Sequence, residues 1–216
     1  MGWFKQFMGL QAPAAKAQPP SEGPMRLARG KALAFDSTLK LLLDGQTAVK
    51  IPPEPTIFSS GQIELGHNAW LSRYYFDDDE FWLQVHSSGE VDGHVESIIV
   101  FNYLDSVAIT SEAELSRLAG PSSLIGLPTY TLGGVEYQRE WGTEAGQTEL
   151  VGLQERVSSA EQAYTVEHRS MLYARETGLT ERREFLLFSV EQDEEGAVSL
   201  TTSLGISLYS TDLQVI

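Results

Sequence analysis

One segment near the C-terminus restricts the fold more than any other. In AVSLTTSLGISLYS, residues 197–210, Val198, Leu200, Leu204, Ile206 and Leu208 fall on one side of a period of two. Ser199, Thr201, Ser203 and Ser207 fall on the other. A β-strand sends successive side chains to opposite faces, and a helix of period 3.6 would mix these two sets. The segment therefore reads as an antiparallel strand with one apolar face and one polar face.

The same period recurs along the chain. NAWLSRYYF and FWLQVHSS are strand candidates, with Phe81, Leu83 and Val85 sharing a face. ESIIVFNYL is a continuous apolar run suited to a central strand. VEYQREW, ELVGLQERV, AYTVEHRSMLYAR and REFLLFSV follow. These strands come in runs rather than alternating with helices, which argues against a parallel α/β sheet. The expected class is mainly β (α+β), with antiparallel sheets and two or three short helices. AFDSTLKLLLDG is one helix, with Asp36 or Ser37 as cap and Gly45 beyond its end. TSEAELSRLAGP is another, opened by a capping box of Ser111 and Glu114 and stopped by Gly120 and Pro121.

Two stretches share a layout: LSRYYFDDDEFWLQVHSSGEVDGHVESIIVFNYL and LYARETGLTERREFLLFSVEQDEEGAVSLTTSLGISL. Each has a strand with Leu and Arg, a polar turn, an EF-x-L strand, an acidic Gly-containing loop and a long apolar strand. Arg73 matches Arg175, Phe81 matches Phe185 and Val95 matches Val198 at nearly constant offsets. The globular region, 25–216, is then either one β domain or two similar β units at about 60–110 and 130–216. Ahead of it, residues 1–24 form a tag with Trp3, Phe4 and Phe7 at helical spacing, on an Ala/Pro-rich linker. The tag reads either as a loose terminus folding back on the body or as a docking peptide.

Charge and composition exclude several functions. The 216 residues carry a net charge of −15, which repels phosphate backbones and argues against nucleic-acid binding. A basic partner, a polyamine or a divalent cation is permitted. There is no cysteine, so disulfide frameworks, Cys-based zinc sites and thiol nucleophiles are excluded. No apolar run approaches the ~20 residues of a membrane span, and the first ten residues lack a secretory signal pattern. A cytoplasmic location is the expectation.

The acidic run FDDDEF is the most conspicuous candidate site. Between two strands, Asp77, Asp78, Asp79 and Glu80 form a hairpin tip whose carboxylates diverge into water. Neighbouring carboxylates ~6 Å apart repel by only about 0.7 kcal/mol at the dielectric of water, so no metal is needed to hold them. A calcium loop would alternate its ligands around a glycine, which this run does not do. The expected roles are a solvated turn or a contact with a cation or basic partner. Arg73 and Trp82, flanking the tip, join it as candidate contact residues, with core packing as the alternative. The histidines, His67, His86, His94 and His168, have no ligand spacing. No phosphate loop, nucleophile elbow or triad is legible, so no catalytic residue, metal site or cofactor is assigned and the balance leans away from an enzyme.

LGHNAWLSRYYFDDDEFWLQV, EYQREWG and MLYARE…REFLLFSVEQDEE…LGISL, together with Trp3 and Phe4 at the start, resemble the YjfK-like family of bacterial proteins of unknown function. The resemblance covers about 53–216. It implies no catalytic residues. It does imply an accessory role near membrane-stress or polyamine physiology, through genes encoded beside members of that family. The expected function is a non-enzymatic interaction module with a basic or membrane-associated partner. The alternative is a metal-dependent enzyme or a cation- or polyamine-binding protein using the acidic hairpin.

Overall fold

The computed structural model describes residues 22–216. The tag residues Trp3, Phe4 and Phe7 lie outside the described residues. Eight long strands make the body: β2 (Ile57–Gly66), β3 (Ala69–Phe76), β4 (Phe81–Ser88), β5 (His94–Ile109), β8 (Val151–Ser158), β9 (Ala163–Glu176), β10 (Arg183–Gln192) and β11 (Val198–Leu208). The expected strands form where the alternation places them. A short pair, β1 (Leu33–Phe35) and β12 (Leu213–Val215), joins the two ends of the described chain. A hairpin of β6 (Thr129–Leu132) and β7 (Val135–Arg139) turns on Gly133 and Gly134, both at positive φ.

The eight strands close into an antiparallel barrel. Around it the order is β2-β3-β4-β5-β11-β10-β9-β8, and β8 returns to β2 through Ser60↔Ser158, Gly61↔Val157 and Gln62↔Arg156. The β6–β7 hairpin extends β9 past the end of β8. Two four-stranded meanders, β2–β5 and β8–β11, thus meet first strand to first and last strand to last.

Closure gives the sheet an outer face and a lumen. Phe81, Leu83, Val85, Ile98, Val100, Met171, Tyr173, Leu186, Phe188, Leu204 and Ile206 face outward into the main core. That core is roofed by residues of 27–51, by Ile125 and by Leu213. The roof includes helix α1 (Leu39–Leu43), shorter than expected because β1 takes residues 33–35; Thr38 rather than Asp36 or Ser37 holds the N-cap position, without a side-chain capping bond, and donates to Asp36 instead. Helix α2 (Glu112–Ala119) packs Leu115 and Leu118 on the same core. Its Ser111 accepts the Glu114 N–H, while the Glu114 carboxylate reaches Thr110. The lumen holds a second cluster: Trp82, Ile99, Phe101, Leu172, Ala174, Phe185 and Leu187.

The polar face of β11 does not meet water. Ser199, Thr201 and Ser203 are 2–3% exposed and line the lumen, where small side chains fit between large ones from other strands. Gly205 on the same face leaves the space that the Phe101 ring fills. The paired offsets of the two similar stretches also meet an obstacle. Phe81 points to the outer core and Phe185 into the lumen. Arg73 likewise faces Gln84 in the lumen, while Arg175 stands on the alternate face of β9, opposite Glu184. A one-residue slip exchanges the two faces of a strand, so these residues are not equivalent in the barrel.

Candidate functional site

The buried charges gather inside the barrel toward one end. Arg73 on β3 and Glu155 on β8 flank β2 and meet above Gly61, at 2.9 Å between Nη1 and Oε2. A β-carbon on Gly61 would overlap the Glu155 carboxylate, so the crossing requires glycine there. Arg73 Nε also donates to Gln84 Oε1 at 3.2 Å. The Tyr75 hydroxyl donates to Glu155 at 2.8 Å. His168 Nε2 lies 2.8 Å from Glu155 Oε2, close but without the alignment of a hydrogen bond. On the other side of the ring, Nδ1 is 3.1 Å from Ser189 Oγ and 3.7 Å from Glu191 Oε1. Thr201 donates to Glu191 at 2.9 Å.

These groups come from opposite walls, since β3 and β10 lie four strands apart around the ring. Burial lowers the proton affinity of Arg73, and Glu155 first, then Tyr75 and Glu191, raise it above the ordinary value, so carboxylates of both walls act on it. Burial by itself would raise the Glu155 carboxyl. The Arg73 charge, the His168 contact and the Tyr75 hydroxyl outweigh it and bring the pKa down to about 2. Burial pushes Tyr75 and Tyr103 well above the usual phenol range, with nearby carboxylates adding to it. Tyr164 is pushed up to about 12 by burial, then by Glu155 and Glu191. At neutral pH the lumen therefore holds ionised Arg73 and Glu155 among neutral phenols.

Trp82 lies in this network. It stacks on Phe101 at 4.2 Å between centroids, with the Arg73 guanidinium 5.0 Å over its ring and Tyr75 and Tyr103 at 6.2 and 6.5 Å. Arg73 and Trp82 are thus lumen residues, each 3% exposed, and not contacts on the outer surface of the hairpin. Alternation explains it: the residues that share the tip's strands with exposed acids point inward. The Trp82 indole N–H is buried and has no acceptor among the described residues.

The acidic tip forms the hairpin turn expected of it. Asp79 adopts φ +58°, and Asp78 Oδ1 accepts the N–H groups of Glu80 and Phe81 at 3.0 and 3.2 Å. Burial of Asp78, set against those bonds, raises its pKa. Asp77 Oδ1 accepts the Thr56 N–H at 3.1 Å, tying the turn to the start of β2. The strand directions place this turn at the same mouth of the barrel as the β8–β9 turn, 159–162, and the β10–β11 turn, 193–197. The three turns carry Asp77, Asp78, Asp79, Glu80, Glu161, Asp193, Glu194 and Glu195, with no lysine or arginine among their residues. Arg29 reaches this rim and donates to the Ser159 carbonyl. Half-buried Tyr75, Tyr103, Tyr164 and Glu191 stand just inside.

Ser189, His168 and Glu155 follow the hydroxyl–imidazole–carboxylate order of an acyl-transfer triad. Yet Ser189 is in the middle of β10, paired to β9 and β11 on both sides, so the ladder leaves no local N–H groups for an oxyanion. Its hydroxyl is buried and bonded to Ser170 at 2.9 Å. Among the described residues no three His, Asp or Glu side chains gather in a way that could hold a metal. Sequence reasoning missed Glu155, His168 and Glu191. For Glu155 a signal existed: it alternates with Leu153 and Val157, an acid in register with apolar residues.

Fold and site together define a closed eight-stranded antiparallel barrel with an ion-paired lumen and one acidic mouth. The chain belongs to the DUF2491 family, described as a protein of unknown function, whose model matches residues 3–214. It is 27% identical over 223 residues to the "Uncharacterized protein YjfK" of Escherichia coli (strain K12), covering 100% of this chain and 99% of that protein. No solved structure matches it. Among the described residues no helix is long and apolar enough to cross a membrane.

Proposed function

We propose that this chain is a non-enzymatic binding module whose acidic barrel mouth takes a basic, aromatic-containing segment of a partner protein. The observation that carries the reading is the gathering of eight carboxylates from three separate turns around one mouth. Behind them stand half-buried tyrosines, so the mouth offers anions and ring faces. Lysine or arginine side chains would pair with the rim, and aromatic side chains would pack on the tyrosine rings. A polyamine or a metal ion brings no ring to the tyrosines, which favours the peptide. A cytoplasmic accessory role with a basic, membrane-associated partner in a stress or polyamine-linked setting is the physiological form of this reading.

Fluorescence anisotropy tests it with a labelled peptide of alternating Lys and Trp, at ~0.15 M salt, where the Debye length is about 8 Å. Asp79→Asn, Glu80→Gln, Glu161→Gln and Glu195→Gln together neutralise half the rim, at side chains that make no bonds holding the turns. Saturable binding is expected, weakened at least tenfold in this variant. Binding that ignores the variant, or is confined to low salt, refutes the proposal. So does saturable binding of spermidine with none of the peptide.

A further inference from the structure

We infer that the barrel opens along the seam between β2 and β8, and that the Glu155 side chain is the latch holding this entrance to the lumen shut. The seam lies in the barrel wall, and its opening does not depend on what the acidic mouth binds. Seven of the eight junctions around the ring run through seven or more residue pairs. The β2–β8 junction has three: Ser60↔Ser158, Gly61↔Val157 and Gln62↔Arg156. At the β8–β9 turn the Ser159 N–H donates to the Gln162 carbonyl. Backbone groups of an antiparallel strand point alternately to its two neighbours, so those of Ser158 and Arg156 point to β2. Two hydrogen-bonded pairs, Ser60 with Ser158 and Gln62 with Arg156, therefore hold the seam. By the same alternation Gln154 and Gly152 point toward β2, and Glu64 toward β8. None of the three has a ladder partner on that side among the described residues.

The two ends of the seam differ. At the acidic mouth a strap pins it. Gly30 donates to the Ile57 carbonyl and the Lys31 carbonyl accepts the Ile57 N–H at the start of β2, while Arg29 donates to the Ser159 carbonyl just beyond β8. Toward the opposite mouth, 63–66 of β2 and 151–155 of β8 are not paired to each other, and Leu65 and Val151 there are 40% and 39% exposed. No backbone ladder resists the lifting of β8 from that end. Glu155 does. It reaches over Gly61 to Arg73 Nη1 at 2.9 Å and to the Tyr75 hydroxyl at 2.8 Å, both on β3. Strand β3 is paired to β2 along its length, so these bonds tie β8 to β2 from the next strand over. A local opening breaks this latch and two backbone pairs and leaves the other seven ladders whole. It uncovers Arg73, Glu155 and the His168 ring beside them.

Native-state hydrogen exchange, read in ¹⁵N spectra of the full-length chain, tests the opening. The amides of Ser60, Gln62, Arg156 and Ser158 should exchange on the order of 100-fold faster than those of Leu186 and Leu204, since a local opening needs less free energy than global unfolding. Their rates should not rise in low urea, because little surface is exposed. Glu155→Gln should speed them roughly tenfold; Tyr75→Phe, which removes one bond of the latch, should speed them about threefold and serves if the first variant does not fold. The chain has no cysteine, so Gln62→Cys with Arg156→Cys gives a single cross-link. The Cα atoms of a hydrogen-bonded pair are ~5.5 Å apart, which a disulfide spans. The cross-link should slow the seam amides to the rate of Leu186 and slow the buried Trp82 indole N–H with them, and reduction should restore both. Seam amides as slow as Leu186 in the parent chain, or protected amides at Glu64 and Gln154, overturn the opening. Seam rates that ignore both latch variants overturn the role of Glu155. A Trp82 indole rate that ignores the cross-link refutes the seam as the entrance to the lumen.

Discussion

Replacing Glu155 with glutamine isolates the lumen network. The substitution keeps the side-chain volume and removes one buried charge, leaving Arg73 at 3% exposure without its carboxylate. The distance from the ordinary carboxyl value of 4.5 to about 2 corresponds to about 3 kcal/mol of preference for the charged form in the folded state. Breaking a buried pair by deleting one partner costs about 3–5 kcal/mol in general, so the two routes agree. For a chain of this size about 3 kcal/mol lowers the melting temperature by roughly 6–12 °C. Urea denaturation monitored by tryptophan fluorescence at pH 7 reads the loss directly. The pH dependence has a definite sign. The folded value of Glu155 lies below the unfolded one, so its contribution is complete above about pH 4.5 and fades as pH falls toward about 2. The stability gap between the parent and Glu155→Gln should therefore narrow on acidification. A cycle with Arg73→Met should show a coupling of about 2 kcal/mol or more, because the double variant strands no charge. A loss under about 1 kcal/mol at pH 7, or a gap that stays constant down to pH 2.5, would refute an ion-paired lumen.

Other substitutions probe separate joints of the fold. Gly61→Ala places a methyl on the Glu155 carboxylate and should cost about 3 kcal/mol or prevent folding, whereas Gly152→Ala meets nothing within 4 Å and should be neutral or stabilising by about 0.5 kcal/mol; paired melting curves decide. Asp212→Ala removes a two-pronged bond to Arg182, at 2.8 and 3.0 Å, and the acceptor of the Tyr209 N–H. It should cost about 3 kcal/mol by urea denaturation, since the guanidinium is left buried. Ser111→Ala deletes the cap of α2 and should cost about 1 kcal/mol, seen as faster hydrogen exchange at the Glu114 amide.

The similarity of the two stretches has a topological counterpart. Two four-stranded meanders joined first to first and last to last are what two copies of one unit would make on closing a barrel together. We propose a duplication on that ground. The residue matches between Phe81 and Phe185, or Arg73 and Arg175, do not support it, because each pair stands on opposite faces.

What the sequence determined by itself was local. Period-two runs located the long strands, and Ser111 and Glu114 located α2, because each of these signals lies within a few residues of the structure it specifies. The resemblance to a family rested on such stretches too, above all the acidic hairpin. Tertiary structure decided the rest. Alternation records that the two faces of a strand differ; it does not record whether the polar face meets water or a lumen. Ser199, Thr201 and Ser203 read as solvent-facing until β8 paired with β2 and enclosed them. The same closure carried Arg73 to Glu155 across 82 residues of chain, and made one acidic mouth from three turns that are far apart in sequence. Those contacts depend on strand pairings between distant segments, and a pairing has two partners where a sequence pattern describes only one.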